Sequence, residues 1–467
     1  MRDRDRAEMN RRLFLRRGVC APAIGGIAVR NMLVETARGE GGGLLAPRPT
    51  RFPARAKRLL FIFLTGGFSH IDTFDEKPAL RADAGKTVTV ARLKRTTTTP
   101  LLASPFEFRS FGRSGLRISE LFPHLGTVAD ELCVIRSLHT DIVEHFQAVL
   151  AMHTGSATVP MPSLGAWLSF GLGTFNANLP SFVVLAEQMT YAGSQIWDSR
   201  FLPPAHQGVR IVPGAEPIPD LHSAARSATL ADLENMMLRD WNERHSAARP
   251  DDADLKARIQ TYETARGMMR EAPEVFDFSR ESDATLELYG ANRGDSRSFA
   301  AQCLIARRLL ERGVRIVELI DTGSSNNWDS HGNMNDHRPK AKRVDRPITA
   351  LIRDLKRRGL LDDTLVVCCT EFGRTPWTDD EKSKGRGHHA KAFSSFLAGA
   401  GVRGGTAYGE TDEHGREIVS NPVHVHDFHA TILHLMGIDH RKLTYRYAGR
   451  DFRLTDVSGE VQHAILS

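Results

Sequence analysis

The sequence contains few cysteines, and their spacing matches no common cofactor or disulfide framework. Five cysteines occur among 467 residues, and none belongs to a C-x-x-C or C-x-x-C-H motif. Haem or iron–sulfur centres attached through such motifs are therefore not expected. Cys368 and Cys369 lie in the apolar run TLVVCCT, where packing inside a buried strand is the expected role.

The sequence also lacks long apolar runs, and the part of the chain after residue 60 has no excess of basic residues. Beyond the N-terminal region no run approaches the ~18 apolar residues of a membrane span, so no stable span is expected. Residues 1–60 carry 14 Arg or Lys and 5 Asp or Glu, which leaves 48 basic and 51 acidic residues for the remainder. Because the formal charge of +6 arises in this first segment, no nucleic-acid partner is expected.

The basic N-terminus contains the segment MNRRLFLRRGVCAPAIGGIAV. Arg11 and Arg12 precede Phe14 and Leu15, and a modest apolar stretch follows over residues 19–29. This order resembles a twin-arginine export signal, and the alternative is a basic, disordered arm. The resemblance implies the twin-arginine translocon as a partner during export and a periplasmic or extracellular location. We therefore predict a signal-like segment over residues 1–35.

Residues 36–57 are rich in Gly, Pro and Arg and are expected to form a linker to an α/β domain over 58–460. In that domain, apolar runs typical of strands covered on both faces alternate with helical patterns. The runs are RLLFIFL, LCVIRS, SFVVLA, VRIVELI, TLVVCC and FSSFLAGAG. Their alternation with helices predicts a mainly parallel central sheet.

Three helical segments are predicted between these runs. The segment 298–313 has Ser298 at its N-cap and a glycine just past its end. The segment DRPITALIRDLKRRGLL carries Pro347 near its first turn. Residues from about 222 to 287 are polar and helical in pattern, which predicts a helical insertion in the same domain.

Ligands bind beyond the carboxyl ends of parallel strands, so the polar residues that follow each apolar run are candidate site residues. The first run is followed by TGGFSHIDTFD. Asp72 and His70 offer an oxygen and a nitrogen to a divalent metal, and the glycines let the backbone approach a ligand. A Gly-Gly turn with solvated aspartates is the alternative.

The run VRIVELI is followed by SSNNWDSHGNMNDH, which contains Asp329 and His331. This Asp-x-His pair brings a carboxylate and an imidazole within reach of one ion, and Trp328 can wall the site. The alternative is a long polar surface loop. We assign Asp336 and His337 to such a loop.

The run TLVVCC is followed by TEFGRTP and then by GRGHHAKAF. Glu371 is a candidate metal ligand, and the fork of Arg374 suits phosphate or sulfate oxygens. His388 and His389 are candidate ligands further along the chain. A buried ion pair between Glu371 and Arg374, with ordinary surface histidines, is the alternative.

A fourth cluster lies in HTDIVEHFQAVLAMHTG. His145 and His153 are eight residues apart, so on one helix they lie roughly on the same face, two turns apart. Packing on the helix surface or in the core is the alternative for both.

Taken in order, TGGFSHIDTFD, MHTG, WDSHGN, EFGRTP, HH and HDFHATILHLMGIDH resemble a bacterial family catalogued as domain of unknown function 1501. That family is related to the alkaline phosphatase and sulfatase superfamily, and the resemblance covers nearly the whole chain. It implies an alkaline-phosphatase-like three-layer α/β sandwich with one or two divalent metals, zinc or calcium, at its strand ends. The metal-ligand positions carried over are Asp72, Asp329, His331, Glu371 and His388 or His389.

Two departures limit what this resemblance implies. The first strand ends in TGG and not in an acidic residue, and the place of the nucleophile, counted back from the TG of MHTG, holds His145. No Cys-x-Pro-x-Arg sulfatase motif occurs in the chain. The compatible mechanism is attack by metal-activated water on a phosphate or sulfate ester, with Arg374 as oxyanion clamp and His145 as general acid or base. Thr140 or Ser69 as a covalent nucleophile is an open alternative.

The expected activity is therefore that of an exported metal-dependent hydrolase acting on small-molecule or polysaccharide esters. The competing hypothesis is a non-catalytic metal-containing protein of the same fold that binds polysaccharide or cell-surface components, because the nucleophile position is unmatched. A structural interaction protein that uses the helical insertion is a third class. Metal content and turnover of ester substrates separate these hypotheses.

Overall fold

A nine-stranded sheet forms the centre of the molecule. The computed structural model describes residues 44–91, 96–214, 216–218, 227–380 and 382–467, so the twin-arginine-like segment lies outside the described residues. In chain order the strands are β1 Arg58–Phe63, β2 Thr87–Ala91, β3 Thr96–Pro100, β4 Phe108–Phe111, β5 Leu116–Ser119, β6 Leu132–His139, β7 Phe182–Ala186, β8 Val209–Ile211, β9 Ile316–Ile320, β10 Thr364–Cys369, β11 Gly373–Thr378, β12 Arg386–His389, β13 Phe393–Ala398, β14 Thr406–Tyr408, β15 Glu410–Thr411, β16 Ile418–Ser420, β17 Val423–His424, β18 Tyr445–Tyr447 and β19 Arg450–Phe452.

The central sheet has the order β14-β6-β13-β10-β1-β9-β7-β8, and β17 also pairs with β6. From β10 to β8 every pair of neighbours is parallel. Strand β13 runs antiparallel to both β10 and β6. In the middle of the sheet, Leu60 of β1 lies between Val366 of β10 and Val317 of β9. The prediction of a mainly parallel sheet is confirmed, and each predicted apolar run contains one of its strands.

Ten helices occur among the described residues. They are α1 Pro78–Ala82, α2 Pro123–Gly126, α3 His145–Thr154, α4 Leu164–Leu172, α5 Ala228–Ala247, α6 Ala253–Phe276, α7 Asp283–Tyr289, α8 Phe299–Glu311, α9 His337–Arg357 and α10 Val425–Leu435. None of these helices has the combined length and hydropathy needed to cross a membrane.

Helices cover both faces of the sheet because successive side chains of each strand point to opposite sides. Leu60 and Ile62 pack in a core with residues of α8 and α9, whereas Phe61 and Phe63 pack in a second core with residues of α3, α4 and α10. Each fully buried side chain of this size stabilises the fold by roughly 1.5–3 kcal/mol. The result is the predicted three-layer sandwich.

Helix α8 confirms the prediction from its caps, because the Ser298 hydroxyl oxygen accepts a hydrogen bond from the Ala301 amide at 3.2 Å. Helix α9 differs from its prediction. It begins at His337, so Pro347 lies in its interior, and the loop predicted for His337 is wrong. The buried residues Ala341 and Val344 precede Pro347, so the apolar stripe of the helix begins before the proline.

Residues 45–56, which the sequence analysis assigned to the linker, contact the α/β domain. Leu45 is buried, and the backbone amides of Arg51 and Ala56 donate to the carbonyls of Gly437 and Leu435 at 2.9 and 2.8 Å. The second half of the predicted linker is therefore hydrogen-bonded to the domain. Within the predicted insertion, the described residues form α5, α6 and the start of α7.

Candidate metal centre

The centre is built on Asp329, which lies in the loop that follows β9. Its neighbour Trp328 anchors this loop, because the indole N–H donates to Asp321 Oδ2 at 2.8 Å and the backbone amide donates to the Thr65 carbonyl at 3.0 Å. The Asp329 amide donates to Asn327 Oδ1 at 3.0 Å. The carboxylate is thus held at the carboxyl ends of β9 and β1, where a ligand site was predicted.

Three imidazoles reach the Asp329 carboxylate through their Nε2 atoms. Nε2 of His145 lies 3.2 Å from Oδ2, and Nε2 of His331 and His388 lie 2.8 and 3.3 Å from Oδ1. The Nε2 atoms of His331 and His388 are 3.1 Å apart. Single ligand atoms of His145, Asp329 and His388 all lie within 4.8 Å of one another. The structure therefore brings together four of the predicted site residues.

Each of the three imidazoles is oriented through its other ring nitrogen. The Nδ1–H of His145 donates to Oε1 of Glu371 at 2.7 Å. The Nδ1–H of His331 donates to Oδ2 of Asp379 at 2.9 Å, and that of His388 donates to the carbonyl of Val143 at 2.7 Å. Because Nδ1 carries the proton, Nε2 of the neutral ring presents a lone pair to the shared centre. Metal-binding histidines are held in the same way, by an acceptor behind the ring.

The centre holds more acidic than basic side chains, because the carboxyl groups of Asp329, Glu371 and Asp379 are matched by one guanidinium, that of Arg374. Burial disfavours the ionised form of Asp329, but hydrogen bonds from imidazoles that are also protonated at Nε2, together with the charge of Arg374, outweigh it and lower the carboxyl pKa. The pKa of His331 is raised, first by its hydrogen bond to Asp329. For His145, burial is outweighed by Asp329 and Glu371, and the pKa is raised. Protons or a metal ion can supply the positive charge, and three imidazole nitrogens with one carboxylate oxygen fit a transition metal.

Glu371 lies behind the centre and not in it. The residue follows β10, is fully buried, and accepts hydrogen bonds from the Gly66 amide at 2.9 and 3.1 Å and from the Thr370 hydroxyl at 2.8 Å. Its Oε1 also accepts from Nδ1 of His145. Glu371, predicted as a ligand from its strand-end position, is therefore placed to orient an imidazole.

Arg374 was predicted to clamp ester oxygens, and the structure gives its guanidinium other partners. The side chain is fully buried, and its Nη2 donates to Asp329 Oδ1 at 2.6 Å and to the Gly66 carbonyl. Its Nε donates to the Gly67 carbonyl at 2.8 Å and its Nη1 to the Arg386 carbonyl at 3.3 Å. Arg374 thus positions Asp329 against the turn after β1.

Asp72 and His389 are separated from the centre. Asp72 forms a fully buried ion pair with Arg386 at 2.7 Å and accepts from the Ser69 hydroxyl at 2.5 Å. His389 donates from Nε2 to the Arg416 carbonyl at 2.7 Å, and burial lowers its pKa to about 3. The TGG turn carries the chain away from the end of β1 before Asp72 is reached, which explains the difference from the prediction.

His153 and His337 are both buried away from the shared centre. His153 contacts Glu318 of β9 at 2.9 Å, between the sheet and α3. Nε2 of His337 accepts from the Ser69 amide at 3.2 Å, its Nδ1 contacts the Ser330 hydroxyl at 3.0 Å, and burial lowers its pKa to about 3. His337 therefore ties the loop after β9 to the segment after β1.

Two residues of the site were not identified from the sequence. Tyr191 stacks on His145, with ring centroids 4.3 Å apart, and its hydroxyl accepts from Asn327 Nδ2 at 2.8 Å. Burial raises the pKa of Tyr191 to about 12. Asp379 follows β11 and orients His331. Tyr191 lies five residues beyond β7. A search of the residues that follow each predicted strand, as applied to the other sites, therefore includes it.

Comparison with known proteins places the chain in a family. The profile described as "Protein of unknown function (DUF1501)" matches residues 56–466. The chain belongs to the DUF1501 family. No curated protein matches this DUF1501 chain.

Solved structures similar to the DUF1501 chain share little sequence with it. The lipoteichoic acid synthase LtaP from Listeria monocytogenes is 11% identical, with 88% of this chain and 78% of that chain covered and a TM-score of 0.38. The PsFucS1 sulfatase from Pseudoalteromonas sp. is 13% identical, with 89% and 72% covered and a TM-score of 0.36. A magnesium-bound variant of TAB5 alkaline phosphatase is 12% identical, with 82% and 98% covered and a TM-score of 0.34.

Proposed function

We propose that this DUF1501 protein binds a divalent transition-metal ion and hydrolyses phosphate or sulfate esters there. The ion is held by Asp329, His145, His331 and His388. The observation that carries the proposal is the convergence of three imidazole Nε2 atoms on one carboxylate, with each Nδ1 held by an acceptor. Calcium prefers six to eight oxygen ligands, whereas imidazole suits zinc, so this donor set favours zinc among the two metals expected.

The remaining roles fall to the chain's own groups. A bound divalent ion lowers the pKa of water towards neutrality and neutralises charge on ester oxygens. Glu371 and Asp379 keep two imidazoles in the tautomer that presents Nε2, and Arg374 holds Asp329 in place. The side chain of His331 is 40% exposed, so the ester and the attacking water enter from its side. His145, predicted as an acid or base, is assigned to the ligand set. Its Nδ1 is held by Glu371, and its Nε2 faces Asp329 at the centre.

The first test is the metal content of purified folded protein, followed by turnover of chromogenic phosphate and sulfate esters. We expect about one zinc per chain, lost in His388→Ala together with activity. His245→Ala is the matched control, because His245 is exposed on α5 and should keep both. His331→Ala should also lose metal and activity, and retained activity would remove His331 from the site. Absence of stoichiometric metal would overturn the proposal.

The second candidate function is a metal-containing binding protein without catalysis, which takes polysaccharide or a cell-surface component. It is favoured by Arg374, whose guanidinium donates to four protein acceptors and has no second anion partner among the described residues. Full metal content with no turnover on any ester would support this candidate against the hydrolase.

The proposal includes export by the twin-arginine route to the periplasm or beyond the cell. Its support is the order of Arg11, Arg12, Phe14 and Leu15 in the sequence. We expect the double variant Arg11→Lys, Arg12→Lys to remain in the cytoplasmic fraction of a bacterial host. Export of that variant at the normal rate would contradict the proposed route.

A further inference from the structure

Helix α5 presents its large apolar side chains to solvent. Leu230, Leu233, Met237 and Trp241 are 46, 49, 53 and 64% exposed, and Leu238 beside them is 56% exposed. Residues spaced by three and four lie on one face of a helix. These five side chains form a mainly apolar stripe along α5, which Glu234 interrupts beside Leu238.

The other side of α5 faces the protein with small and polar residues. Ala231, Asn235, Asn242 and Ser246 are half-buried, and no residue of α5 whose burial is described is fully buried. Surface helices of globular proteins turn their apolar stripe towards the core and their polar face to water. In α5 this orientation is reversed, so the stripe is suited to contact with another molecule.

We propose that the apolar stripe packs antiparallel against the same stripe of a second copy of the chain. A two-fold axis between residues 235 and 236 sets Leu230 opposite Trp241 and Leu233 opposite Leu238 of the other copy. A two-fold axis makes the contact isologous, so the same side chains are buried on both copies.

The area of the stripe agrees with a dimer contact. Large apolar side chains offer on the order of 200 Å² each, so five of them at about half exposure supply roughly 500 Å² per copy. Two copies bury about 1,000 Å² from these side chains alone, which is the lower limit for a specific interface. The polar groups flanking the stripe add to this area.

The charges on α5 favour a second copy over a membrane surface. The helix carries four acidic residues and two arginines, which are Asp232, Glu234, Asp240, Glu243, Arg239 and Arg244. Helices that lie on membranes carry Lys and Arg on their polar face, because bilayer surfaces are anionic. The acidic surplus of α5 opposes such contact.

The test is sedimentation velocity on the full chain at concentrations from about 1 to 100 µM, a range that spans the affinity expected for this interface. We expect a concentration-dependent dimer. Met237→Glu should make the protein monomeric over this range with unchanged helical content. Val457→Glu is the matched control, because Val457 is 82% exposed and lies outside α5, and this variant should leave the dimer intact.

Two outcomes would overturn the proposal. They are a wild-type chain that is monomeric at the highest concentration and a Met237→Glu variant that remains dimeric. If the monomeric wild-type chain also binds neutral lipid vesicles, the stripe is assigned to a membrane surface.

Discussion

Replacement of Glu371 by Gln tests whether this residue binds the metal or orients a ligand. Glu371 is fully buried, and its Oε1 lies 2.7 Å from Nδ1 of His145. Gln keeps the volume and one acceptor but removes the charge. A hydrogen bond to a charged group contributes about 1–2 kcal/mol more than a neutral one, so zinc affinity should fall roughly 5- to 30-fold. Loss of an orienting partner in known metal sites costs ~10- to 100-fold, which agrees with this estimate.

The assay is a competitive zinc titration against a chromophoric chelator, near neutral pH, with thermal denaturation to confirm folding. Glu417→Gln is the matched control, because the half-buried Glu417 lies outside the centre and pairs with Lys391 at 2.6 Å, so this variant should not change affinity. Unchanged affinity of a folded Glu371→Gln variant would refute the orienting role. Loss of stoichiometric zinc would refute it in the other direction, because it would make Glu371 a direct ligand.

Three further predictions concern acid stability, the turn after β1 and substrate charge. Burial lowers the pKa of His337 and His429 to about 3 from 6.5, so the unfolded state binds more protons below pH 6.5 and the melting temperature should fall steadily as pH drops towards 3. A constant melting temperature would contradict this. Gly66→Ala should destabilise the fold by about 2 kcal/mol or more in urea unfolding, because φ is +108° and its Cβ would lie 2.6 Å from Asn327 Oδ1. Monoanionic esters should show higher kcat/KM than dianionic phosphate monoesters, because Arg374 is engaged by protein acceptors and does not neutralise a second charge on the ester. The reverse order would show that another cation lies at the site.

The sequence predicted the fold well because the fold depends on local patterns. Each apolar run contains a strand, since burial on both faces of a parallel sheet needs such a run. The same rule located Asp329 and Glu371 at the ends of β9 and β10, the two strands that flank β1. It did not assign their roles, because those depend on which atoms meet across the sheet. Arg374 and Asp72 show this most clearly, since each is paired with residues that no local pattern connects to it.

The helix that begins at His337 shows a second limit of local patterns. A polar segment with a proline ten residues further on indicates a loop, and a proline inside a helix costs roughly 3 kcal/mol. Tertiary packing outweighs that cost here, because Val344, Ile348 and Leu351 are all buried against the core. His337 is buried at the start of this helix, and its hydrogen bonds join the loop after β9 to the segment after β1.

The TGG turn explains how the centre forms without an acidic residue at the end of β1. The Gly66 amide donates to Glu371, so the carboxylate that lies at the end of β1 comes from the residue pair after the neighbouring strand β10. A side chain at residue 66 would collide with Asn327 and the Trp328 amide, which excludes a ligand there. Asp329 is then the carboxylate that contacts the shared centre, while Glu371 acts through an imidazole. The donor set is rich in nitrogen as a result, and that composition favours zinc over calcium.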